Sequence, residues 1–297
     1  MNLLINMFGE CVVGWLNAYR EGGWLPSWAS PGYRNCMVGT FADVVIADAI
    51  VKGIKGFDYE LAFRALHKDA YEAPPAHASG AIGKDGLNDY TSFGYVPVEN
   101  GGDSSVSRSL DFAFADFATA NAFEKLAGMP QFSSSREVLT TSAAELNKRA
   151  LRTPRELFDK EKGFMAPKDR NGRIRRVGDV QWGSGYTEGN AYHHSFIPWN
   201  IRQLVELHNS GKTSFVPTGA AAPGLRGGFG IFGGGSEAGV GNIGQAPNSN
   251  MLLQRLHTLV TRSGSFNPGS YHQEIHEMRG TARCFMFGQT PSVFSFV

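Results

Sequence analysis

The segment DVVIADAIVKGIKGFDYELAFRALHKDA, residues 43–70, decides the fold. In its first half Val44, Val45, Ile46, Ala49, Ile50 and Ile54 cluster as a buried helix over Asp43 to Lys55, without the period of two that a half-buried strand would show. Gly56 reads as a break, and a second helix follows from Tyr59 to Ala70. Helix following helix across one short glycine turn points to an all-α protein.

Working outward, residues 1–210 carry the same signature of helices joined by loops of varied length. Ser107 is placed to cap a helix that turns Leu110, Phe114, Phe117 and Leu126 inward, and Gly128 with Pro130 supplies its stop. Ser134 and Glu137 have the spacing of a capping box for the next helix. A further helix is expected from Ile201 to His208, entered through Pro198 and closed by Gly211. This order suits a helical toroid or bundle.

The pattern stops near residue 215. Gly219 to Gly244 holds 11 glycines with almost no regular apolar spacing, which predicts a flexible loop or disorder. We therefore divide the chain into a helical part at 1–215, a Gly-rich segment at 216–249 and a divergent tail at 250–297, in which Met251 to Val260 has a helical pattern.

Composition removes several functional classes. Lys plus Arg number 28 against 27 for Asp plus Glu, so the formal charge of +1 creates no field to attract nucleic acid or an anionic membrane. No apolar run approaches the ~20 residues that span a bilayer, and Leu3 to Trp15 lacks the basic start of a signal peptide and contains Asn6 and Glu10. Compartment and oligomeric state stay open. Cys11, Cys36 and Cys284 are odd in number and far apart, which indicates neither a disulfide framework nor a zinc site.

Three motifs are set aside. Gly228, Gly230 and Gly233 match a dinucleotide-binding glycine pattern but have no strand before them and no helix after them. The adjacent His193 and His194 would point in different directions from a helix. The basic run Lys168 to Arg176 brackets Asn171-Gly172, a turn signal, and reads as a solvated hairpin or loop.

One carboxylate stands out. Glu188 lies in Tyr186-Thr187-Glu188-Gly189-Asn190-Ala191-Tyr192, among glycines and aromatic rings. Apolar rings strip hydration from a charged carboxyl and favour its protonated form, which suits a proton donor. From spacing alone, a loop glutamate capping a following helix is the preferred reading.

An ordered series of blocks bears on that choice. Asn17-Ala18-Tyr19-Arg20 leads to Trp24-Leu25-Pro26-Ser27-Trp28, then Cys36-Met37-Val38-Gly39, Ile46-Ala47-Asp48-Ala49 and Lys52-Gly53-Ile54-Lys55-Gly56-Phe57-Asp58. Gly86-Leu87, Tyr90, Gly94-Tyr95-Val96-Pro97, Val106-Ser107, Leu157-Phe158-Asp159, Gly163-Phe164-Met165 and Glu188-Gly189-Asn190-Ala191 follow. In this order they resemble glycoside hydrolase family 92, the calcium-dependent exo-acting α-mannosidases, over roughly residues 14–215.

The resemblance implies a β-sandwich followed by an (α/α)6 toroid with the active site at their junction. This chain corresponds to part of the toroid, with the sandwich missing and the C-terminal part degraded. It implies hydrolysis of terminal α-linked mannose with inversion, as in N-glycan processing, with a mannose-containing glycan as partner. Glu188 takes the position of the general acid, and Trp28, Thr40, Phe41, Lys84 and Asn190 fall at substrate-binding positions. Thr40-Phe41 stands where many members carry Asp and His or Cys, Lys84 stands near a family Arg, and Pro198-Trp199-Asn200 replaces a common Pro-His-Asp.

Calcium is the implied cofactor, and Asn250 stands nearest to the family's ligand block, whose last two places here hold Met251 and Leu252. The family's general base is an aspartate of a later Asp pair. The last aspartate of this chain is Asp179, and only Glu206, Glu237, Glu274 and Glu277 follow Glu188. The expectation is a glycosidase-derived chain with impaired activity. The competing readings are a non-catalytic carbohydrate-binding module using Trp24, Trp28 and Tyr186, and a gene fragment that does not fold alone.

Overall fold

A computed structural model describes residues 2–27, 33–35, 38–78, 80–161, 164–175, 185 and 198–210. Its α-helices are α1 (Asn2–Gly22), α2 (Phe41–Val51), α3 (Tyr59–Tyr71), α4 (Leu87–Phe93), α5 (Val98–Gly101), α6 (Ser105–Ala127), α7 (Arg136–Leu157) and α8 (Ile201–Ser210). A two-residue antiparallel pair, β1 (Phe158–Asp159) with β2 (Phe164–Met165), is the one sheet among the described residues. The all-α expectation holds.

The segment that decided the fold forms the predicted helix pair, with altered ends. α2 stops at Val51 rather than Lys55, because Gly53 adopts φ +68° and reverses the chain. The Ile54 amide then donates to the Ala49 carbonyl at 2.9 Å and the Gly53 amide to that of Ile50 at 3.0 Å, a Schellman closure. α3 starts at Tyr59 because the Asp58 carboxylate accepts from the Glu60 and Leu61 amides at 2.9 and 3.0 Å. Its inward face is Leu61, Ala62, Ala65, Leu66 and Asp69.

α6 is the central helix. It packs along α7 and α2, and Leu110, Ala113, Phe114, Ala118, Phe123 and Leu126 are all buried. Two cap expectations are corrected here. Ser107 does not cap α6, which begins at Ser105; Ser107 is buried within its first turn. The helix end is instead satisfied from outside, since the Gly185 carbonyl accepts from the amides of Val106 at 2.9 Å and Ser107 at 3.2 Å. The Ser134–Glu137 capping box does not form either, because Pro130–Ser135 coils as a 3-10 turn and delays α7 to Arg136. α8 is capped as a helix should be, the Asn200 carbonyl oxygen accepting from the Gln203 amide at 3.1 Å. The Gly-rich segment, Met251 to Val260 and the tail lie outside the described residues.

Sequence reading passed over α1, whose Val12 and Leu16 enter the same core as α2, α6 and α7. Among the described residues no helix is long and apolar enough to cross a membrane.

The two sides of α7 provide a test of this packing. Leu146 is fully enclosed whereas Val138 is 50% exposed. Leu146→Ala is expected to cost about 2–5 kcal/mol in urea unfolding, and Val138→Ala less than about 0.5 kcal/mol.

Candidate functional site

The chain connections divide unequally between the two ends of the helix array. At one end, α2–α3 and α6–α7 are joined by the short turns 52–58 and 128–135. At the other, the long connections 23–40, 72–104 and 158–200 are tied to one another. The Ser27 amide donates to the Ala81 carbonyl at 3.1 Å, and Pro26 bridges Ile82. The Val98 amide donates to the Lys168 carbonyl at 3.0 Å, and the Tyr95 hydroxyl donates to that of Asp169 at 2.9 Å. These bonds join three loops into one continuous face, the usual place for function on a rigid helical scaffold.

The run Lys168–Ile174 folds back as expected. Gly172 at φ +76° makes the turn, and the Asp169 carboxylate accepts from the amides of Asn171 and Arg173 at 2.9 and 2.8 Å. Arg170 reaches Asp89 on α4 at 3.1 Å.

Of the residues expected to bind substrate, Thr40, Phe41 and Lys84 are described. Thr40 is buried at the entrance of α2, where its carbonyl accepts from the Asp43 amide at 3.2 Å. Phe41 is half-buried against Phe114, with ring centroids 6.5 Å apart. A Cβ at Gly39, which sits at φ +87°, would come within 2.7 Å of the Phe41 ring and 2.9 Å of Asp111 Cβ, so only glycine lets the chain pass there. Lys84 is fully buried and donates to the Asp69 carbonyl at 3.2 Å. Its Nζ lies 3.3 Å from Asp116 Oδ1 and 3.6 Å from Asp43 Oδ2.

Lys84 thus belongs to an ionic cluster beneath the loop face. Asp116 of α6 receives Arg149 of α7 through both Nε and Nη2, the latter at 2.8 Å, and the Tyr90 hydroxyl of α4 at 3.0 Å. Arg149 also donates to the Ala70 carbonyl at 2.9 Å and lies 5.4 and 5.6 Å from the ring centroids of Tyr90 and Tyr71. Burial pulls the Arg149 pKa down, but the Asp116 carboxylate more than reverses this and leaves it raised. Burial, then the negative charge of Asp116, holds the Tyr90 phenol well above its ordinary range, so it stays neutral and donates.

A cleft of about 630 Å³ opens on the same face, lined by Ala73 to Ala76, Ala78, Gly80, Asp85 to Asp89, Asn100 and Arg170. Its carboxylates are engaged, Asp85 with Arg108 at 2.6 Å and Asp89 with Arg170 and Asn100. Thr40, Phe41 and Lys84 do not line it.

Trp28, Glu188, Asn190 and Asn250 lie outside the described residues. Gly185, three positions before Glu188, is described at φ +106°, with its carbonyl on the start of α6; a Cβ there would lie 3.0 Å from Pro167. For calcium, the described residues do not fit: no group of three His, Cys, Asp or Glu among them is placed to hold a metal ion, and the cations of Lys84 and Arg149 already occupy the buried carboxylates of Asp43 and Asp116. Sequence reading missed Asp43, Asp69, Asp116 and Arg149. The available signal was a set of lone acids on otherwise apolar helix faces, a placement that demands a buried partner.

The family model described as "Glycosyl hydrolase family 92 catalytic domain" matches residues 4–218 of the 297. A protein of Arthroderma benhamiae named "Uncharacterized secreted glycosidase" is 34% identical over 113 residues, covering 34% of this chain and 14% of that protein. The family GH92 inverting mannosidase BT2199 of Bacteroides thetaiotaomicron superposes over 95% of this chain and 32% of its own, with TM-score 0.58 and 24% identity, a likeness of fold. The family GH92 alpha-mannosidase BT3965 of the same organism superposes over 62% of this chain and 23% of its own, with TM-score 0.51 and 31% identity. The chain spans between 14% and 32% of the lengths of these three proteins.

The cluster predicts an asymmetric response to truncation. Arg149→Met removes one cation from Asp116 and leaves a buried charge undercompensated, so it should destabilise by about 3–5 kcal/mol in denaturant unfolding. Arg108→Met, which breaks a pair whose Asp85 side chain is 52% exposed, should cost less than about 1 kcal/mol.

Proposed function

Since the chain belongs to glycosyl hydrolase family 92, matched by the family's catalytic-domain model over residues 4–218, we propose that it derives from a glycosidase that removes terminal α-linked mannose from glycans. The family match is the observation that carries this reading. BT3965 has also been solved in complex with mannoimidazole, a ligand of mannose type, and superposes with TM-score 0.53 at 25% identity. That the Arthroderma relative is named as secreted supports a secretory route.

We assign Glu188 as general acid, protonating the departing glycosidic oxygen while water attacks the opposite ring face with inversion, which needs carboxyls ~6.5–9.5 Å apart. The Gly185 carbonyl on the α6 amides ties down the chain three residues before it. Trp28, Phe41 and Asn190 stand as sugar-contacting candidates, while Thr40, buried beside Asp43, acts from within the cluster. Lys84, being fully buried, acts as a positioning residue that holds the loop following Gly83. Calcium remains implied by the family, with Asn250 as its nearest candidate ligand.

Within residues 1–297 no aspartate follows Asp179, so this polypeptide carries a donor without the family's base. Loss of a general base costs about 10²–10⁴ in rate. Purified 1–297 protein is therefore expected to release mannose from α-mannosides at no more than that reduced rate, with or without calcium. In a longer protein supplying both a sandwich and an Asp pair, Glu188→Gln should abolish release. Full activity in that variant would remove Glu188 from the mechanism, and unimpaired calcium-dependent turnover by residues 1–297 would remove the claim of impairment.

A further inference from the structure

The ionic cluster beneath the loop face holds a charge imbalance that the mechanism does not use. Among the described residues, Asp43, Asp69 and Asp116 share two buried cations, Lys84 and Arg149, and all five side chains are buried. Asp116 is fully engaged by Lys84, Arg149 and Tyr90. The carboxyls of Asp43 and Asp69 are close enough for each to act on the other's titration, yet among the described residues none of their oxygens receives a hydrogen bond of normal geometry. Two carboxylates placed so are mutually repulsive and unsatisfied, whereas a carboxylic acid donating to a carboxylate satisfies both.

We propose that Asp69 retains its proton at neutral pH and donates it to the Asp43 carboxylate, so that the cluster is electrically neutral and the pair ties α2 to α3 as a pH-sensitive latch.

Helix geometry selects which of the two holds the proton. Asp43 lies in the first turn of α2, where the aligned amide dipoles favour an anion. Asp69 lies in the last turn of α3, where the free carbonyls disfavour one. The groups facing the pair are divided: Lys84 and Thr40 favour the anion at Asp43, Asp116 opposes it, and Lys84 and Lys68 act more weakly on Asp69 than its burial and the charge of Asp43 do. Lys84 is 3.6 Å from Asp43, and the Thr40 hydroxyl also faces that carboxylate. Against Asp69, Lys84 presents its ammonium to the main-chain carbonyl at 3.2 Å rather than to the carboxyl. Lys68 on the same helix is turned outward over the Trp24 ring at 4.5 Å, towards Glu72 at 3.8 Å. Asp116 adds negative charge from α6, and Arg149 is occupied by it. Burial, and after it the charge of Asp43, hold the Asp69 carboxyl well above the usual carboxylate range.

The sign of the pH effect follows. A carboxyl with a raised folded-state pKa contributes stability that is complete below its unfolded pKa and is lost as pH rises through the folded one. Loss of the proton sets two anions side by side and opens the tie between the first turn of α2 and the last turn of α3.

The test uses the whole 1–297 protein. At neutral pH its infrared difference spectrum should show the C=O stretch of a protonated carboxylic acid, and Asp69→Asn should remove it. The asparagine amide keeps a donor toward Asp43, so this variant should unfold within roughly 4 °C of the parent at neutral pH. It should also flatten the fall in unfolding temperature that the parent shows from the ordinary carboxylate range up through neutral pH, leaving the decline at higher pH that the buried Tyr90 phenol brings. A parent spectrum without that band overturns the proposal even if the variant fails to fold. So does a band that persists in Asp69→Asn, or a variant that folds but keeps the parent's decline between the carboxylate range and neutral pH.

Discussion

Asp116 is the constraint on which the described structure hangs. It stands mid-way along the central helix, fully enclosed, and an isolated carboxylate there would be prohibitively costly to desolvate. Its partners therefore come from everywhere around it: Arg149 from α7, Tyr90 from α4 and Lys84 from the loop after α3. Arg149 and Lys84 then reach beyond it to the carbonyls of Ala70 and Asp69 at the end of α3. Satisfying one buried charge thus fixes the mutual setting of four helices and a loop. Leu or Ala at these positions would pack as well and could slide; paired charges at this depth hold one register.

That register has a consequence for the loop face. The helix ends beneath it are tied across elements by buried charges, while the opposite end is closed by short turns whose bonds are local, such as the Asp58 cap of α3. Ordering irregular connecting segments costs conformational entropy, and the cross-links from Ser27 to Ala81 and from Val98 to Lys168 offset part of it. Scaffold rigidity and loop length are therefore paired at one end, which is where the collinear sequence blocks Gly86-Leu87, Gly94 to Pro97 and Leu157 to Asp159 also fall.

Periodicity made the helices legible because it records burial, and burial is what selects helix faces: 43–70 gave the α2–α3 pair with only its first terminus shortened at Gly53. Caps were less legible. Ser107 and the Ser134–Glu137 spacing offered local solutions, but a carbonyl 78 positions away from Ser107 and a 3-10 turn took those roles. Of the candidate site, Lys84 could be singled out by resemblance but its surroundings could not. Asp43, Asp69, Asp116 and Arg149 belong to four helices, and no local pattern encodes their meeting.

The departures from the family pattern bear on that meeting. Thr40 occupies a place where many members carry Asp, and it lies buried beside Asp43. A further carboxylate there would add negative charge to a cluster in which three acids already face two cations, unless it were matched from outside. Thr40 supplies a neutral hydroxyl instead. Likewise Lys84, a compact ammonium, meets three oxygens at 3.2–3.6 Å without the planar geometry a guanidinium would impose. Thr40 thus keeps further negative charge out of this core, whereas Lys84 keeps the positive charge and changes only the geometry in which it is offered.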